Sequence, residues 1–292
     1  MLPRTVSVQA PAKINLSLKV LGRRDDGYHL LDTHMQKVAL YDTVELCPLA
    51  EGIRLRCPGG KVPEDRNNLV FRAASLFFAW SVQNRPANPR GVALTLRKNI
   101  PVAAGLGGGS SDAAATLHGL NAMLAADCPA ETLAAMGLQL GADVPFFLDT
   151  SPAVRATGIG EILQPIAPLE HYQVVLVNPG FSVSTRWVYQ TFALTGEGDS
   201  VNLKNSQDAV GALDGAGFPV LLANDLEKVT LKKFPELGQI KAELLAQGAK
   251  GALMSGSGPT VFGIFQDRQR AGEAAAVFRE RFPQTYLVDP VQ

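Results

Sequence analysis

The chain has 292 residues and a mass of 31.1 kDa, a length that suits two domains or one large one. Hydrophobic residues make up 46% and charged residues 18%, so the chain can form a sizeable core and is not disordered throughout. Because 27 Lys and Arg residues balance 27 Asp and Glu residues, the composition argues against nucleic-acid binding driven by counterion release.

The N-terminal half predicts several strands and then helices. Apolar and polar residues alternate with the period of two that is typical of strands in residues 5–10, 13–20, 34–41, 43–48, 52–57 and 92–96. The first two of these strands are expected to be half-buried. An apolar stripe behind Asn68 predicts a helix with this asparagine as its cap. Two further helices are predicted, one up to about Leu124 and one over about 131–139.

The C-terminal part has a different pattern. Its predicted elements, in chain order, are a strand at 174–177, helices at 184–192 and 237–245, strands at 252–254 and 260–265, a helix at 268–282 and a strand at 286–288. Strand, helix, strand, strand, helix, strand is the order of a ferredoxin-like unit. We therefore predict an α+β protein with domains at 1–165 and 166–292, and a long mobile connection over 194–216.

The cysteines and the N-terminal residues give an expectation about the cellular location of the protein. Cys47, Cys57 and Cys128 form no C-x-x-C pair, and such a sparse, odd number of cysteines favours reduced thiols over a disulfide framework. The first residues lack the apolar run of a signal peptide, and no stretch has the length and apolarity of a membrane span. We expect a soluble cytoplasmic protein.

A run of glycines separates the strand at 92–96 from the next helix. Residues 105–112 read Gly-Leu-Gly-Gly-Gly-Ser-Ser-Asp. Glycines let backbone N–H groups approach an anion, and the helix behind them adds unpaired amides and the positive end of its dipole. We interpret the segment as a phosphate-binding loop. The alternative is a turn that lets the helix pack closely on the strand.

Two common phosphate loops do not match this segment. A Walker loop needs a lysine before Ser110, and position 109 is glycine. A dinucleotide-binding loop needs a third glycine at position 110, which is serine. A Rossmann oxidoreductase is therefore disfavoured.

Four segments resemble one family in chain order. Residues 101–114, which begin with Pro and contain the glycine run, are similar to the ATP loop of the GHMP small-molecule kinases. Pro-Ala-Lys-Ile-Asn-Leu at 11–16, Gly-Ala-Asp-Val-Pro-Phe at 141–146 and Ser-Gly-Ser-Gly-Pro at 255–259 resemble the same family. The resemblance implies a mixed α/β nucleotide-binding domain, a ferredoxin-like C-terminal domain and a cleft between them. A departure is Ala103-Ala104, where many relatives carry glycine.

A fifth segment restricts the resemblance to one group within the family. Arg-Arg-Asp-Asp-Gly-Tyr-His at 23–29 is similar to the family's members with a cytidyl substrate. It implies transfer of the γ-phosphate of ATP to the 2-hydroxyl of 4-diphosphocytidyl-2-C-methyl-D-erythritol, in non-mevalonate isoprenoid biosynthesis. The alternatives are another family member, such as homoserine or mevalonate kinase, and a non-catalytic nucleotide sensor on the same fold.

The resemblance also implies the catalytic residues. Asp143 would be the general base for the substrate hydroxyl, and Lys13 would pair with it and offset negative charge at the γ-phosphate. Asn15, two residues along the strand, would share the face of Lys13 and either bind the substrate or hold Asp143. From the residues alone, the alternative for Asp143 is a carboxylate that caps a helix or strand. For Lys13, the residues alone favour a place on the polar face of a half-exposed strand.

For the cytosine, the resemblance implies that Tyr28 stacks on the base and that His29 binds its edge by a hydrogen bond. Thr185 would add a hydrogen bond and Tyr189 the opposing aromatic face. The alternatives are that Tyr28 and His29 are ordinary loop residues and that the helix of Thr185 and Tyr189 belongs to the core.

For the nucleotide, Asn68 and Lys98 match positions that line the adenine side in the family. Equally good readings are a helix cap for Asn68 and a solvated strand end for Lys98. The loop residues implied to bind ATP are Pro101, Val102, Ala103, Ala104, Gly105, Leu106, Gly107, Gly108, Gly109, Ser110 and Ser111. ATP would be the phosphoryl donor with Mg²⁺, for which we assign no carboxylate ligand; the candidates are Ser110 or Ser111, together with water. We expect a small-molecule substrate, no nucleic acid or membrane partner, and a monomer or weak homodimer.

Overall fold

The computed structural model describes residues 5–59, 62–86, 88–194 and 222–292. Its strands are β1 (Val6–Arg23), β2 (His29–Leu49), β3 (Glu51–Arg56), β4 (Arg90–Arg97), β5 (Ala153–Gly158), β6 (Ile162–Pro165), β7 (Gln173–Asn178), β8 (Ala223–Asn224), β9 (Gly251–Met254), β10 (Val261–Phe265) and β11 (Gln284–Val288). Its helices are α1 (Leu69–Asn84), α2 (Gly108–Met123), α3 (Ala130–Leu140), α4 (Val144–Leu148), α5 (Thr185–Leu194), α6 (Glu227–Lys233), α7 (Pro235–Ala246) and α8 (Arg268–Arg281). The α+β prediction is confirmed.

The chain forms two compact units whose sequences interleave. The first comprises residues 1–12, 40–102 and 107–150, and the second comprises 13–39, 103–106 and 151–292. Strands β1 and β2 therefore contribute residues to both units. The division into domains at 1–165 and 166–292 stays a prediction, and residues 195–216 of the predicted connection lie outside the described residues.

The first unit combines a sheet with helices α1 to α4. In its sheet, β4 pairs with β3 in parallel and with β2 antiparallel, with Val44 opposite Leu96. Helix α1 begins where predicted, because the side chain of Asn68 accepts a hydrogen bond from the N–H of Val70 at 3.0 Å. Helix α2 packs very closely on the sheet, since a Cβ at Gly119 would lie 2.5 Å from a methyl group of Leu46.

The second unit contains the predicted ferredoxin-like sheet. Its strand order is β11-β7-β10-β9, and every neighbouring pair is antiparallel. The apolar stripes of α7 and α8 pack against this sheet, with Leu237, Ile240 and Leu244 on α7 and Phe278 on α8 all buried. The unit also contains the antiparallel pairs β2–β5 and β5–β6 and the parallel pair β1–β8.

Several predictions about the strands were wrong in their bounds. The two strands expected at 5–10 and 13–20 are one strand, β1, and those at 34–41 and 43–48 are both part of β2. Elements β5, β6, β8, α4 and α6 were not predicted. The half-buried character expected of residues 13–20 was also wrong, because the polar side chains of Lys13 and Asn15 are as buried as the apolar ones between and beside them.

Within the described ranges, every helix is too short or too polar to span a bilayer.

Candidate active site

The glycine-rich segment lies where the sequence predicts it, between β4 and α2. The helix begins at Gly108, with the left-handed residue Gly107 (φ 71°) at its N-cap. Residues 101–102 and 107–111 belong to the first unit and 103–106 to the second. The predicted ATP-binding residues are therefore divided between the units, and their common role stays a prediction.

Two glycines of this segment, Gly105 and Gly108, are closely packed within the protein itself. Gly105 has a φ of +77°, and a Cβ there would overlap the carbonyl oxygen of Ser255. A Cβ at Gly108 would lie 3.0 Å from Ile100. Gly109 differs, because it is exposed and a Cβ there would meet only a methyl of Leu69 at an ordinary 3.5 Å. Close packing thus explains Gly105 and Gly108 and leaves Gly109 without a structural reason.

The first turn of α2 has the features of an anion site. The N–H of Ser111 is the first to bond within the turn, to the carbonyl of Gly107 at 2.9 Å, so the N–H groups before it are available to a ligand. The hydroxyl of Ser111 is buried and, among the described residues, has no hydrogen-bond partner. Such an orphaned donor at a helix N-terminus indicates a bound polar group.

Lys98 occupies a buried ion-pair cluster in the first unit. Its ammonium group contacts a carboxylate oxygen of Asp42 and lies 2.6 Å from one of Asp112. Its side chain is only 6% exposed, so the reading as a solvated strand end is wrong. Asp42 also accepts hydrogen bonds from the N–H groups of Asn99 and Ile100 at 2.6 and 2.9 Å. The cluster therefore joins β2, residues 98–100 that follow β4, and α2.

Two members of this cluster, Asp112 and Lys98, have shifted pKa values. Burial raises the pKa of Asp112, and the neighbouring Asp42 adds to this, while Lys98 opposes it. Burial alone would lower the pKa of Lys98, but the two carboxylates together raise it. Sequence reasoning missed both carboxylates. No local signal marks them, because Asp42 is followed by Thr43 and Asp112 follows Ser110 and Ser111 in a glycine-rich run.

Asn68 uses both ends of its amide within the first unit. Its oxygen caps α1, and its nitrogen donates to the carbonyl of Pro63 at 2.8 Å. The cap reading is confirmed, and the adenine-lining role stays a prediction.

Asp143 directly precedes α4, at its N-cap position, with Pro145 in the first turn. It makes no side-chain capping hydrogen bond, so the capping alternative is wrong. It follows Gly141, whose position lies close to the hydroxyl of Ser110. Asp143 and Lys13 belong to different units, and their pairing stays a prediction.

Lys13 and Asn15 lie together in the second unit. Both are buried, at 4% and 3% exposure, and the ammonium group contacts the amide oxygen of Asn15. A Cβ at Gly256 would lie 3.4 Å from each of these two atoms. The hydroxyl of Ser255 donates to the carbonyl of Gly105 at 2.9 Å. The 255–259 turn, the 11–16 segment and part of the glycine-rich loop therefore meet.

The predicted cytosine residues are also in the second unit. The rings of His29 and Tyr189 lie 5.1 Å apart, and the hydroxyl of Thr185 lies 2.9 Å from that of Ser257. Tyr28 is 58% exposed. Burial and the neighbouring Arg23 lower the pKa of His29, so its imidazole is neutral at pH 7.

One ring nitrogen of His29 has unused hydrogen-bonding capacity. Its Nε2 is buried and finds no hydrogen-bond partner in the part of the chain that the structure describes. A neutral imidazole with one unsatisfied nitrogen can donate to or accept from the edge of a base.

Among the described residues, no group of three His, Cys, Asp or Glu side chains is placed to hold a metal ion. Mg²⁺ commonly keeps several waters and binds substrate phosphates with one or two protein oxygens. The orphaned Ser111 hydroxyl fits that limited role.

The chain was compared with protein families. Residues 68–150 match the family model of the GHMP kinases N terminal domain, and residues 203–284 match that of the GHMP kinases C terminal domain.

Curated relatives extend the match to almost the full chain. The 4-diphosphocytidyl-2-C-methyl-D-erythritol kinase of Syntrophotalea carbinolica is 48% identical over 288 residues, which cover 98% of this chain and 99% of that protein. The protein of the same name from Geobacter sulfurreducens is 46% identical over 279 residues, covering 95% of this chain and 96% of that one.

Solved structures agree in fold. A crystal structure of 4-(cytidine 5'-diphospho)-2C-methyl-D-erythritol kinase matches with a TM-score of 0.79 and 36% identity, covering 98% of this chain and 100% of that chain. Homoserine kinase from Cytophaga hutchinsonii matches with a TM-score of 0.67 at 16% identity, over 98% of this chain and 95% of that chain, which shows the fold alone.

Proposed function

We propose the reaction of this chain from its family, because the chain belongs to the 4-diphosphocytidyl-2-C-methyl-D-erythritol kinases among the GHMP kinases. It transfers the γ-phosphate of ATP to the 2-hydroxyl of 4-diphosphocytidyl-2-C-methyl-D-erythritol. The acceptors of other GHMP kinases, such as homoserine or mevalonate, have no pyrimidine for Tyr28 and His29 to bind.

One observation carries the catalytic part of the proposal. The ammonium group of Lys13 is buried beside Asn15, next to the turn at Gly256 and the segment of Gly105. Burying a cation is costly unless polar groups compensate its charge, as the amide oxygen of Asn15 does here. A lysine in that place supports a role in neutralising the charge of a phosphoryl group.

The residues have distinct tasks in the proposed reaction. The N–H groups of the first turn of α2 bind phosphate oxygens of ATP. Asp143 orients the 2-hydroxyl and takes its proton while the oxygen bonds to the γ-phosphorus and the bond to ADP breaks. Since phosphoryl transfer states are loose, much of its contribution is positioning. Lys13 offsets the negative charge on the transferred group.

The cytidyl end is bound on the second unit. His29 is neutral and has a free Nε2 for the edge of the cytosine. Tyr189 lies against it. Tyr28 is exposed and can close on the face of the base. Thr185 adds a hydroxyl.

The proposal also covers the metal ion, the oligomeric state and the cellular location. The Ser111 hydroxyl and water would hold Mg²⁺, which when bound neutralises charge on the β- and γ-phosphate oxygens. The protein acts as a monomer or weak homodimer, without nucleic acid or membrane. We place it in the cytoplasm, which is supported by its three free cysteines, Cys47, Cys57 and Cys128.

The test is ADP release from ATP, measured by a coupled assay with four acceptors: the cytidyl-methylerythritol compound, homoserine, mevalonate and galactose. Turnover with the cytidyl compound alone is expected, with the new phosphate located on the 2-hydroxyl by phosphorus NMR. Turnover with homoserine or mevalonate instead would assign the chain to another group of GHMP kinases. ATP binding without turnover on any acceptor would favour the nucleotide sensor.

A matched pair of variants tests Lys13. Lys13→Met keeps an unbranched side chain of almost the same length and removes its charge, and we expect kcat to fall by about a hundredfold to a thousandfold. Lys19→Met makes the same change on the same strand and should leave kcat unchanged. Equal effects of the two substitutions would contradict the role given to Lys13.

A further inference from the structure

Thr33 is a buried residue of β2 that neither the sequence analysis nor the proposed reaction uses. It is 3% exposed and lies in the second unit with Asn15 and Ser17 of β1. Its hydroxyl donates to the backbone carbonyl of Ser17 at 2.6 Å. The same oxygen accepts a hydrogen bond from the amide nitrogen of Asn15 at 2.8 Å.

The chemistry of a hydroxyl fixes the direction of this chain of hydrogen bonds. A threonine hydroxyl has one proton to donate and lone pairs to accept with. Because the backbone carbonyl of Ser17 can only accept, that one proton is used there. The group facing Thr33 from Asn15 must then be the NH₂ end of the amide.

The hydrogen bond to Thr33 fixes the orientation of the Asn15 amide, and this orientation determines which atom faces Lys13. With its NH₂ group on Thr33, Asn15 turns its oxygen to the ammonium group of Lys13. The reversed amide would put two donors against the ammonium group and an oxygen without a proton against Thr33. Both contacts would be lost, and the site is too buried for water to replace them easily.

We propose that Thr33 is a positioning residue of the active site, which holds the Asn15 amide in the one orientation that presents an acceptor to the Lys13 ammonium group. The inference rests on the proposed function, in which Lys13 acts on the phosphoryl group. Thr33 itself touches no reacting atom. Its backbone pairing with Ala156 of β5 does not involve the hydroxyl, so the hydroxyl can be removed separately.

The experiment compares Thr33→Val, which has nearly the same shape without the hydroxyl, with Thr33→Ser, which keeps the hydroxyl. Kinetics are measured with the cytidyl-methylerythritol compound and ATP, and thermal unfolding is measured for each variant. We expect Thr33→Val to lower kcat by roughly tenfold to a hundredfold, the scale of a misplaced catalytic group. The KM for ATP should stay unchanged, and Thr33→Ser should restore kcat.

Three results would overturn the proposal. One is a Thr33→Val enzyme with unchanged kcat. Another is a Thr33→Ser enzyme as impaired as Thr33→Val, which would make the methyl group responsible rather than the hydroxyl. The third is an equal rise in the KM for both substrates without a change in kcat.

Two further measurements test the proposal if a variant does not fold or if the proposed function is wrong. If Thr33→Val does not fold, Thr33→Ala removes the same hydroxyl without the branched side chain. In the unaltered protein, the side-chain amide protons of Asn15 should exchange slowly with solvent by NMR, and fast exchange would refute the hydrogen-bond chain. Absence of turnover by the unaltered protein would refute the proposed function, while slow amide exchange would still support the arrangement at Thr33.

Discussion

Gly109→Ala separates ligand binding from packing as the reason for the glycine-rich loop. The residue lies in the first turn of α2, is exposed, and has room for a methyl group, since the nearest atom outside the helix would be 3.5 Å away on Leu69. Alanine is also the better helix former, by about 0.5–1 kcal/mol in a helix interior. The substitution should therefore leave stability unchanged or slightly raised.

ATP binding should respond in the opposite direction. In the proposed site, phosphate oxygens approach the N–H groups of this turn, and a methyl group at position 109 would hold them away. A hydrogen bond to a charged group contributes about 1.5–3 kcal/mol. Loss of one such bond corresponds to a rise in the KM for ATP of about tenfold to a hundredfold.

The assay measures the KM for both substrates, the Kd of a non-hydrolysable ATP analogue by calorimetry, and Tm. Gly272→Ala is the matched control, because Gly272 lies in helix α8 and a Cβ there meets no atom of the described residues within 4 Å. It should change Tm like Gly109→Ala and leave the KM for ATP unchanged. If Gly109→Ala also leaves the KM for ATP unchanged, the loop serves helix packing and the phosphate reading fails.

Three further predictions concern other residues. Asp143→Asn should lower kcat by about 10²–10⁴-fold, the contribution of a positioned base, with ATP affinity by calorimetry unchanged; an effect on KM alone would remove Asp143 from that role. Tyr28→Ala should weaken binding of the cytidyl substrate by roughly 1–3 kcal/mol through lost stacking, measured as its KM; an equal rise in the KM for ATP would contradict a cytosine site. Burial, with help from Glu64, raises the pKa of Cys57 to about 11, so its thiol is protonated at pH 8. Iodoacetamide at pH 8 should label the exposed Cys47 and leave Cys57 unlabelled by mass spectrometry, and equal labelling would refute this.

The elements with one apolar and one polar face could be predicted from the sequence. Helix α1 and the ferredoxin-like unit have clear periodicity and recognisable caps, such as Asn68 on α1 and Asp267, which accepts a hydrogen bond from Arg270 on α8. Helix α4 could not be predicted, because Val-Pro-Phe-Phe-Leu is apolar throughout and has no period. Strand β8 has two residues, too few to show a pattern.

The candidate site was predictable where a motif is local and not where partners come from distant parts of the chain. The glycine-rich loop is contiguous, and its position was confirmed. The partners of Lys98 are 56 and 14 residues away in sequence, so its burial could not be read from the alternation of β4. The burial of the polar face of β1 could not be predicted for the same reason, since Thr33 and Ser255 contact Asn15 from distant positions in the sequence.

The cluster of Lys98 with Asp42 and Asp112 constrains how this chain can change over time. Removing one member of a buried ion pair leaves an uncompensated charge, at a cost of about 3–5 kcal/mol, whereas exchanging the whole group for apolar residues is often neutral. Lys98 pairs with both aspartates, so a single neutral replacement there would leave two buried carboxylates without a cation and should be rare among descendants of this chain. A neutral replacement at one aspartate leaves a balanced pair of Lys98 with the other, and should be found more often.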